Sequence, residues 1–266
     1  MTRQQLTQHI LNKKSYLCVG LDTELSKIPK HLQSNTNAVL DFNKTIIDAT
    51  KDSCVAYKIN TAFYEAIGAK GWQIMEETLH YIPDTHFKIA DAKRGDIGNT
   101  STQYAKAFFE TLPFDAITVA PYMGEDSIKP FLEYENKFTI VLGLTSNRGA
   151  NDFEMLKTDG NYLYEKVIEK IATWGTPDNL MFVVGATQTN QIATIRKIIP
   201  NNFLLVPGVG FQGGSLLGVS DAGLNENVGL LVNASRAIIY ASENENFAAE
   251  ATEIAKQYQV EMASYL

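Results

Sequence analysis

A chain of 266 residues, 45% hydrophobic and 20% charged, excludes a disordered or collagen-like protein and suits a single α/β barrel, which takes about 250 residues. Its 23 basic residues against 30 acidic ones leave a net charge of −7, which repels a polyanion and excludes nucleic acid as a partner, though a small phosphorylated ligand can still be held by a few local donors. Two cysteines exclude a disulfide framework, and no stretch approaches the ~18 apolar residues of a membrane span.

Met1 to Lys14 is polar without an apolar centre, so no signal peptide is expected and the chain is read as cytosolic, with no membrane partner. Short β-branched, apolar runs then recur: Tyr16–Leu21, Cys54–Ile59, His86–Ala90, Ala116–Ala120, Thr139–Leu144, Leu180–Val184, Phe203–Val206 and Gly229–Asn233. Amphipathic segments alternate with them, at Thr36–Ala49, Gly71–Tyr81, Thr100–Glu110, Tyr162–Trp174, Gln188–Ile199 and Asn246–Gln259. The runs are continuous rather than alternating, the mark of strands covered on both faces of a parallel sheet. Cys18 and Cys54 sit inside two of them as small core hydrophobes. Eight strand–helix units with no linker predict one (β/α)8 TIM barrel over residues 1–266, a single catalytic domain. An open doubly wound sheet is the rival, but its Gly-rich dinucleotide fingerprint is missing after the first strand, where Gly20-Leu21-Asp22-Thr23-Glu24 stands.

Function in a parallel barrel gathers where strands end, and charged or polar residues crowd those positions. The densest cluster is Asp91-Ala92-Lys93-Arg94-Gly95-Asp96-Ile97-Gly98-Asn99-Thr100. Strand alternation puts Asp91 and Lys93 on one face, at the barrel mouth. Glycines at 95 and 98 permit a sharp turn before a helix that Asn99 or Thr100 would cap. Lys58 ends the neighbouring second strand and Asp22 the first; together the lysines and carboxylates neutralise one another and stay charged despite partial burial. A second cluster is glycine-rich: Pro207-Gly208-Val209-Gly210-Phe211-Gln212-Gly213-Gly214 follows strand seven, and Ser235-Arg236 follows strand eight. Backbone N–H groups and an arginine fork at this place suit a phosphate. The four histidines, His9, His31, His80 and His86, fall away from the mouth without metal-ligand spacing and are read as surface or helix-end residues. No Ser or Cys nucleophile has a His partner on that rim, which argues against acyl transfer.

These residues resemble the orotidine 5′-monophosphate decarboxylase family in its longer bacterial form. The likeness runs from Gly20-Leu21-Asp22 through Tyr57-Lys58-Ile59-Asn60, Ile89 to Ile97, Ala120-Pro121-Tyr122-Met123-Gly124, Leu144-Thr145-Ser146-Asn147 and Pro207-Gly208-Val209-Gly210 to Ser235-Arg236. The resemblance implies a lyase of pyrimidine biosynthesis that converts orotidine 5′-monophosphate to UMP without cofactor or metal. It implies that Lys93 protonates C6, that Asp91 lies against the departing carboxylate, and that Lys58 ties Asp91 to the ribose. It further implies that Asp22 holds the ribose, Ser146 the pyrimidine edge, and Gln212 with the Ser235-Arg236 backbone and guanidinium the phosphate, while Asp96 and Thr100 reach into the partner's site of a homodimer. Two departures stand out: Ser235 where many relatives have Gly, and Phe211 where a small residue is common. The alternatives are a magnesium-dependent sugar-phosphate decarboxylase or aldolase on the same barrel, which generally carries acidic ligands in place of Lys58, and a non-catalytic nucleotide-binding barrel, which needs no alternating charges.

Overall fold

Eight apolar runs need cover on both faces, and a parallel sheet closed on itself inside a ring of helices supplies it. The computed structural model describes residues 1–210 and 214–266. In chain order the strands are β1 (Leu17–Gly20), β2 (Ala56–Asn60), β3 (Phe87–Arg94), β4 (Ala116–Val119), β5 (Phe138–Leu144), the short β6 (Lys157–Thr158) and β7 (Asn161–Tyr162), then β8 (Leu180–Val184), β9 (Leu204–Pro207) and β10 (Leu230–Ala234). β6 and β7 form an antiparallel hairpin of their own; the other eight close a barrel in chain order, with β10 returning to β1. Every barrel pairing is parallel. Closure excludes the open doubly wound sheet.

The helices are α1 (Arg3–Lys13), α2 (Ala38–Thr50), α3 (Thr61–Glu65), α4 (Ala69–Tyr81), α5 (Gly98–Lys106), α6 (Glu125–Leu132), α7 (Leu163–Ala172), α8 (Thr189–Ile198), α9 (Leu216–Gly223), α10 (Arg236–Ile239) and α11 (Phe247–Ala263). α1 occupies the polar lead-in. Only its Leu6 and Ile10 are buried, one turn apart, so the apolar period is too sparse to read as a helix. A reciprocal cap between Thr2 and Gln5 starts it, and Lys14 in the left-handed region ends it. The expected cap of α5 does not form. That helix begins at Gly98 with Ile97 in the cap position, which leaves Asn99 and Thr100 inside its first turn.

The two cysteines are buried free thiols, as expected of core hydrophobes. Burial pushes the Cys54 thiol up to about 11, which keeps it inert. The expectation for the histidines fails at His86, which is not a surface residue but is buried just before β3. Its Nε2 lies 2.8 Å from the Lys51 carbonyl and 3.4 Å from Lys13 Nζ, its Nδ1 3.1 Å from Thr85 Oγ1, and its ring meets His9 edge-on at 5.5 Å. A strand start between two helices draws the ring inward, where the carbonyl and hydroxyl satisfy both nitrogens. Burial, aided by Lys13 and His9 against the Lys51 carbonyl, lowers its pKa from 6.5 to about 4.

A depressed histidine makes the fold acid-sensitive in a defined window. Above pH 6.5 neither state is protonated there; as pH falls toward 4 the unfolded chain takes a proton that the folded one refuses. Stability should therefore drop by about 3 kcal/mol across that window. Urea midpoints measured at pH 7 and pH 4.5 should differ less in His86→Gln than in the parent. His9, pushed down by burial and then by Lys13, leaves a residual slope. An unchanged slope would remove His86 as its origin.

Candidate active site

At the C-terminal ends of the strands lies a cavity of about 310 Å³. Asp22, Lys58, Asp91 and Lys93 line one side of it; Ser146 lines another, and Ser235 and Arg236 a third. Asp96 and Thr100 do not line it, and Gln212, like Phe211, lies outside the described residues.

The four charges form one alternating row. Lys58 Nζ sits 3.3 Å from Asp22 Oδ1 and 2.8 Å from Asp91 Oδ2, and Lys93 Nζ sits 2.6 Å from Asp91 Oδ1. Burial alone would push the Asp91 carboxyl up, but the charges and hydrogen bonds of Lys58 and Lys93 outweigh it and hold Asp91 well below the usual carboxylate range. Burial likewise opposes charge on Lys58, and Asp91 with Asp22 more than restores it, so its pKa is raised. Buried charges survive here because each has an opposite neighbour.

Asp91 and Lys93 meet, but not by the plain alternation of a regular strand. The β3–β4 register shifts between Ala90 and Arg94: Ala90 pairs with Ile117, yet Arg94 pairs with Val119, so β3 spends two extra residues there. Within this bulge Lys93 adopts φ 47°, a left-handed conformation that costs a residue with a Cβ about 1 kcal/mol. Thr118 of β4 holds it. Its hydroxyl accepts from the Lys93 N–H at 2.9 Å and donates to Asp91 Oδ1 at 3.0 Å. Arg94 turns the other way, paired with Glu65 and lying over the Tyr104 and Phe108 rings at 5.5 Å each, which pins the strand end. The Lys93 side chain keeps half its surface exposed while its ammonium faces the cavity, whereas Lys58 is almost wholly buried.

Buried polar groups position Asp22. Tyr64 donates to the Leu21 carbonyl at 2.9 Å; Tyr240 donates to the Asp22 carbonyl at 3.1 Å and accepts from Glu24 N at 2.8 Å. Asn43 in turn donates to the Tyr64 hydroxyl at 2.9 Å and to Thr78 at 3.0 Å, and accepts from Thr23 at 2.7 Å. Beyond β5, Glu154 accepts both the Thr145 N–H at 2.7 Å and the Thr145 hydroxyl at 2.9 Å, which fixes the chain just before Ser146. Thr118, Glu154, Tyr64 and Tyr240 were not among the expected site residues. Only Asn43 carried a signal, a polar residue on the apolar stripe of α2.

On the third side Pro207, Gly208 and Val209 border the cavity. Gly208 at φ 98° and Gly210 at φ 79° take conformations that side chains rarely adopt. Gly210 N donates to the Gly214 carbonyl at 3.0 Å.

Residues 15–252, almost the whole barrel, match the Orotidine 5′-phosphate decarboxylase / HUMPS family. The chain belongs to the orotidine 5′-phosphate decarboxylase family. It is 61% identical to the orotidine 5′-phosphate decarboxylase of Christiangramia forsetii over 100% of this chain and 99% of that protein. Among solved structures it is similar to Leishmania donovani OMP decarboxylase, with a TM-score of 0.83 and 37% identity over 98% of this chain and 99% of that one. It is similar too to Leishmania donovani UMP synthase (TM-score 0.83, 39% identity, 96% of this chain), of whose length it spans 56%. Membership of the decarboxylase family bears out the resemblance carried by the strand-end motifs and the barrel expected from them.

Proposed function

We propose that this chain decarboxylates orotidine 5′-monophosphate to UMP and CO₂, and the observation that carries the reading is the Asp22–Lys58–Asp91–Lys93 row in one cavity. Losing CO₂ from C6 leaves an electron pair in an sp² orbital, orthogonal to the ring π system, so the ring offers no electron sink. Stabilisation must come from a fixed positive charge beside C6. Lys93 supplies it, then passes a proton to that carbon. Asp91, held ionised by its two lysines, stands against the substrate carboxylate and raises the energy of the bound substrate; as neutral CO₂ departs the charge withdraws to C6, beside the Lys93 ammonium. Asp22 holds the ribose and Lys58 ties Asp91 to it, Ser146 reads the pyrimidine edge, and the Arg236 guanidinium with the Ser235–Arg236 backbone grips the phosphate, joined by Gln212. Phosphate binding far from C6 contributes the energy that keeps the base against the charges. The chemistry is carried by side chains alone, without cofactor or metal.

We read the enzyme as one catalytic domain over residues 1–266, working in the cytoplasm; two buried free thiols suit a reducing compartment. We also read it as a homodimer in which Asp96 and Thr100 complete the partner's cavity. Neither lines its own, and exposed apolar side chains, Ile97 next to Asp96 in the chain and Met123 near Gly95, offer a surface for a second copy to cover.

Incubation with orotidine 5′-monophosphate in excess EDTA should show loss of orotate absorbance with UMP formed in equal amount. A requirement for added magnesium would move the chain to the metal-dependent decarboxylases of the same barrel. Mixing Lys93→Ala with Asp96→Ala subunits tests the shared site: heterodimers should recover up to one intact site in two. No recovery, with mixed dimers shown to form, would count against sharing.

A further inference from the structure

Where the barrel closes, β1 and β10 run side by side as far as the pair Val19 and Ala234. Past that pair a side chain continues the seam: Ser235 Oγ donates to the Gly20 carbonyl at 3.0 Å. On its other edge Gly20 pairs with Lys58, whose carbonyl accepts from Leu21 N at 2.8 Å. One residue of β1 therefore separates the Ser235–Arg236 side of the cavity from the Asp22–Lys58 side.

Residue 20 is glycine for reasons of space. Its φ is not in the left-handed region, so backbone freedom does not require glycine there. A Cβ at this position would lie 2.8 Å from Ser235 Cβ, 3.1 Å from Ser235 Oγ and 3.2 Å from Asn233 Oδ1. Neither neighbour can swing away freely. The Ser235 carbonyl takes the N–H groups of Ile238 and Ile239 at 2.9 and 3.0 Å, and Asn233 is buried within β10. A larger residue at position 20 must push residues 235 and 236 outward.

We propose that Gly20 and Ser235 are a matched pair of positioning residues. The missing side chain at 20 admits that of Ser235, and the Ser235 hydroxyl then sets the spacing between Arg236 and the Asp22–Lys58 side. The pairing gives the Ser235 side chain a role that a glycine at 235 could not perform, and it makes Gly20 the condition for that role. It rests on the reading of Arg236 as the phosphate holder. A nucleotide that spans the cavity feels this spacing directly, because its phosphate and ribose ends are gripped by the two sides that the seam joins.

The test is a double-mutant cycle on the full-length enzyme, with steady-state kinetics and with calorimetric affinities for UMP and for uridine. Gly20→Ala should raise KM at least about 10-fold with a smaller change in kcat, weaken UMP, and leave uridine within about twofold. Gly20→Ala combined with Ser235→Gly should return KM to within about threefold of the parent, since the alanine methyl takes the space that the serine side chain leaves. Ser235→Gly alone, which closes the cycle, and Ser235→Ala, which keeps the Cβ and so the packing, should each raise KM about threefold through loss of the seam hydrogen bond. Losses that simply multiply in the double variant overturn the pairing, as does equal weakening of UMP and uridine by Gly20→Ala. Should Gly20→Ala fail to fold, a folded and active double variant supports the pairing, and an unfolded one overturns it. Arg236→Ala separates the underlying assignment: equal weakening of UMP and uridine there would remove the phosphate reading, while the recovery cycle would still report on the seam.

Discussion

Lys93→Ala should leave the barrel folded and lower turnover at least ~10³-fold. The fold survives because half of the Lys93 side chain is exposed and because Asp91 keeps Lys58 and Thr118 as partners. The chemistry does not survive. A fixed charge of this kind is worth about 3–4 kcal/mol of barrier, and the same group is also the proton source. UMP, which has no carboxylate and needs no proton, should bind Lys93→Ala within a few-fold of the parent, so kcat should carry nearly all of the loss. The checks are the orotate absorbance assay and calorimetry with UMP. Near-normal turnover would withdraw Lys93 as proton donor.

Lys58→Ala should fail differently, losing activity and stability together. Its ammonium sits between two carboxylates and is almost wholly buried, so removal leaves Asp91 in low dielectric with one lysine instead of two. Breaking a buried pair by deleting one partner typically costs about 3–5 kcal/mol. The pH dependence should change with it. In the parent, the depressed Asp91 contributes stability that is present above the carboxylate's unfolded pKa and lost as pH falls below it. The variant, in which Lys93 alone opposes burial, should show a weaker acid limb. Lys58→Met with Asp91→Leu removes both charges and should regain most of the stability measured in denaturant while staying inactive. If the double variant is no more stable than Lys58→Ala, the loss does not come from an uncompensated charge.

Much of this was legible in the residues themselves, for physical reasons. A strand covered on both faces has to be apolar throughout, so each run ended visibly where polar residues began, and the row of Asp22, Lys58, Asp91 and Lys93 appeared as charges at those ends. What stayed hidden depends on how strands meet. Alternation put Asp91 and Lys93 together correctly, but the actual cause is a bulge against β4 and a left-handed Lys93, which no single-strand pattern encodes. Thr118 looks like any β-branched residue in an apolar strand until its hydroxyl is seen against Asp91. Glu154 lies nine residues beyond the Thr145 it holds, and only the folding of the long loop after β5 brings them together. His86 precedes a strand, as a surface residue can, and its burial follows from the packing of α1 beneath the barrel. That Asp96 and Thr100 are shared between subunits is a proposal for which the strand-end pattern carries no signal; only the resemblance implies it.

The alternating row has a long-range corollary. Two cations and two anions within contact of one another cancel, so beyond roughly 8 Å of saline they project almost no field. An approaching nucleotide therefore meets first the envelope of a protein carrying −7, which turns its own anionic charge away. Discrimination is deferred until the ligand touches the cavity wall. Dissolved ions that mask the envelope should ease arrival while weakening far less the close-range electrostatics that drive the reaction.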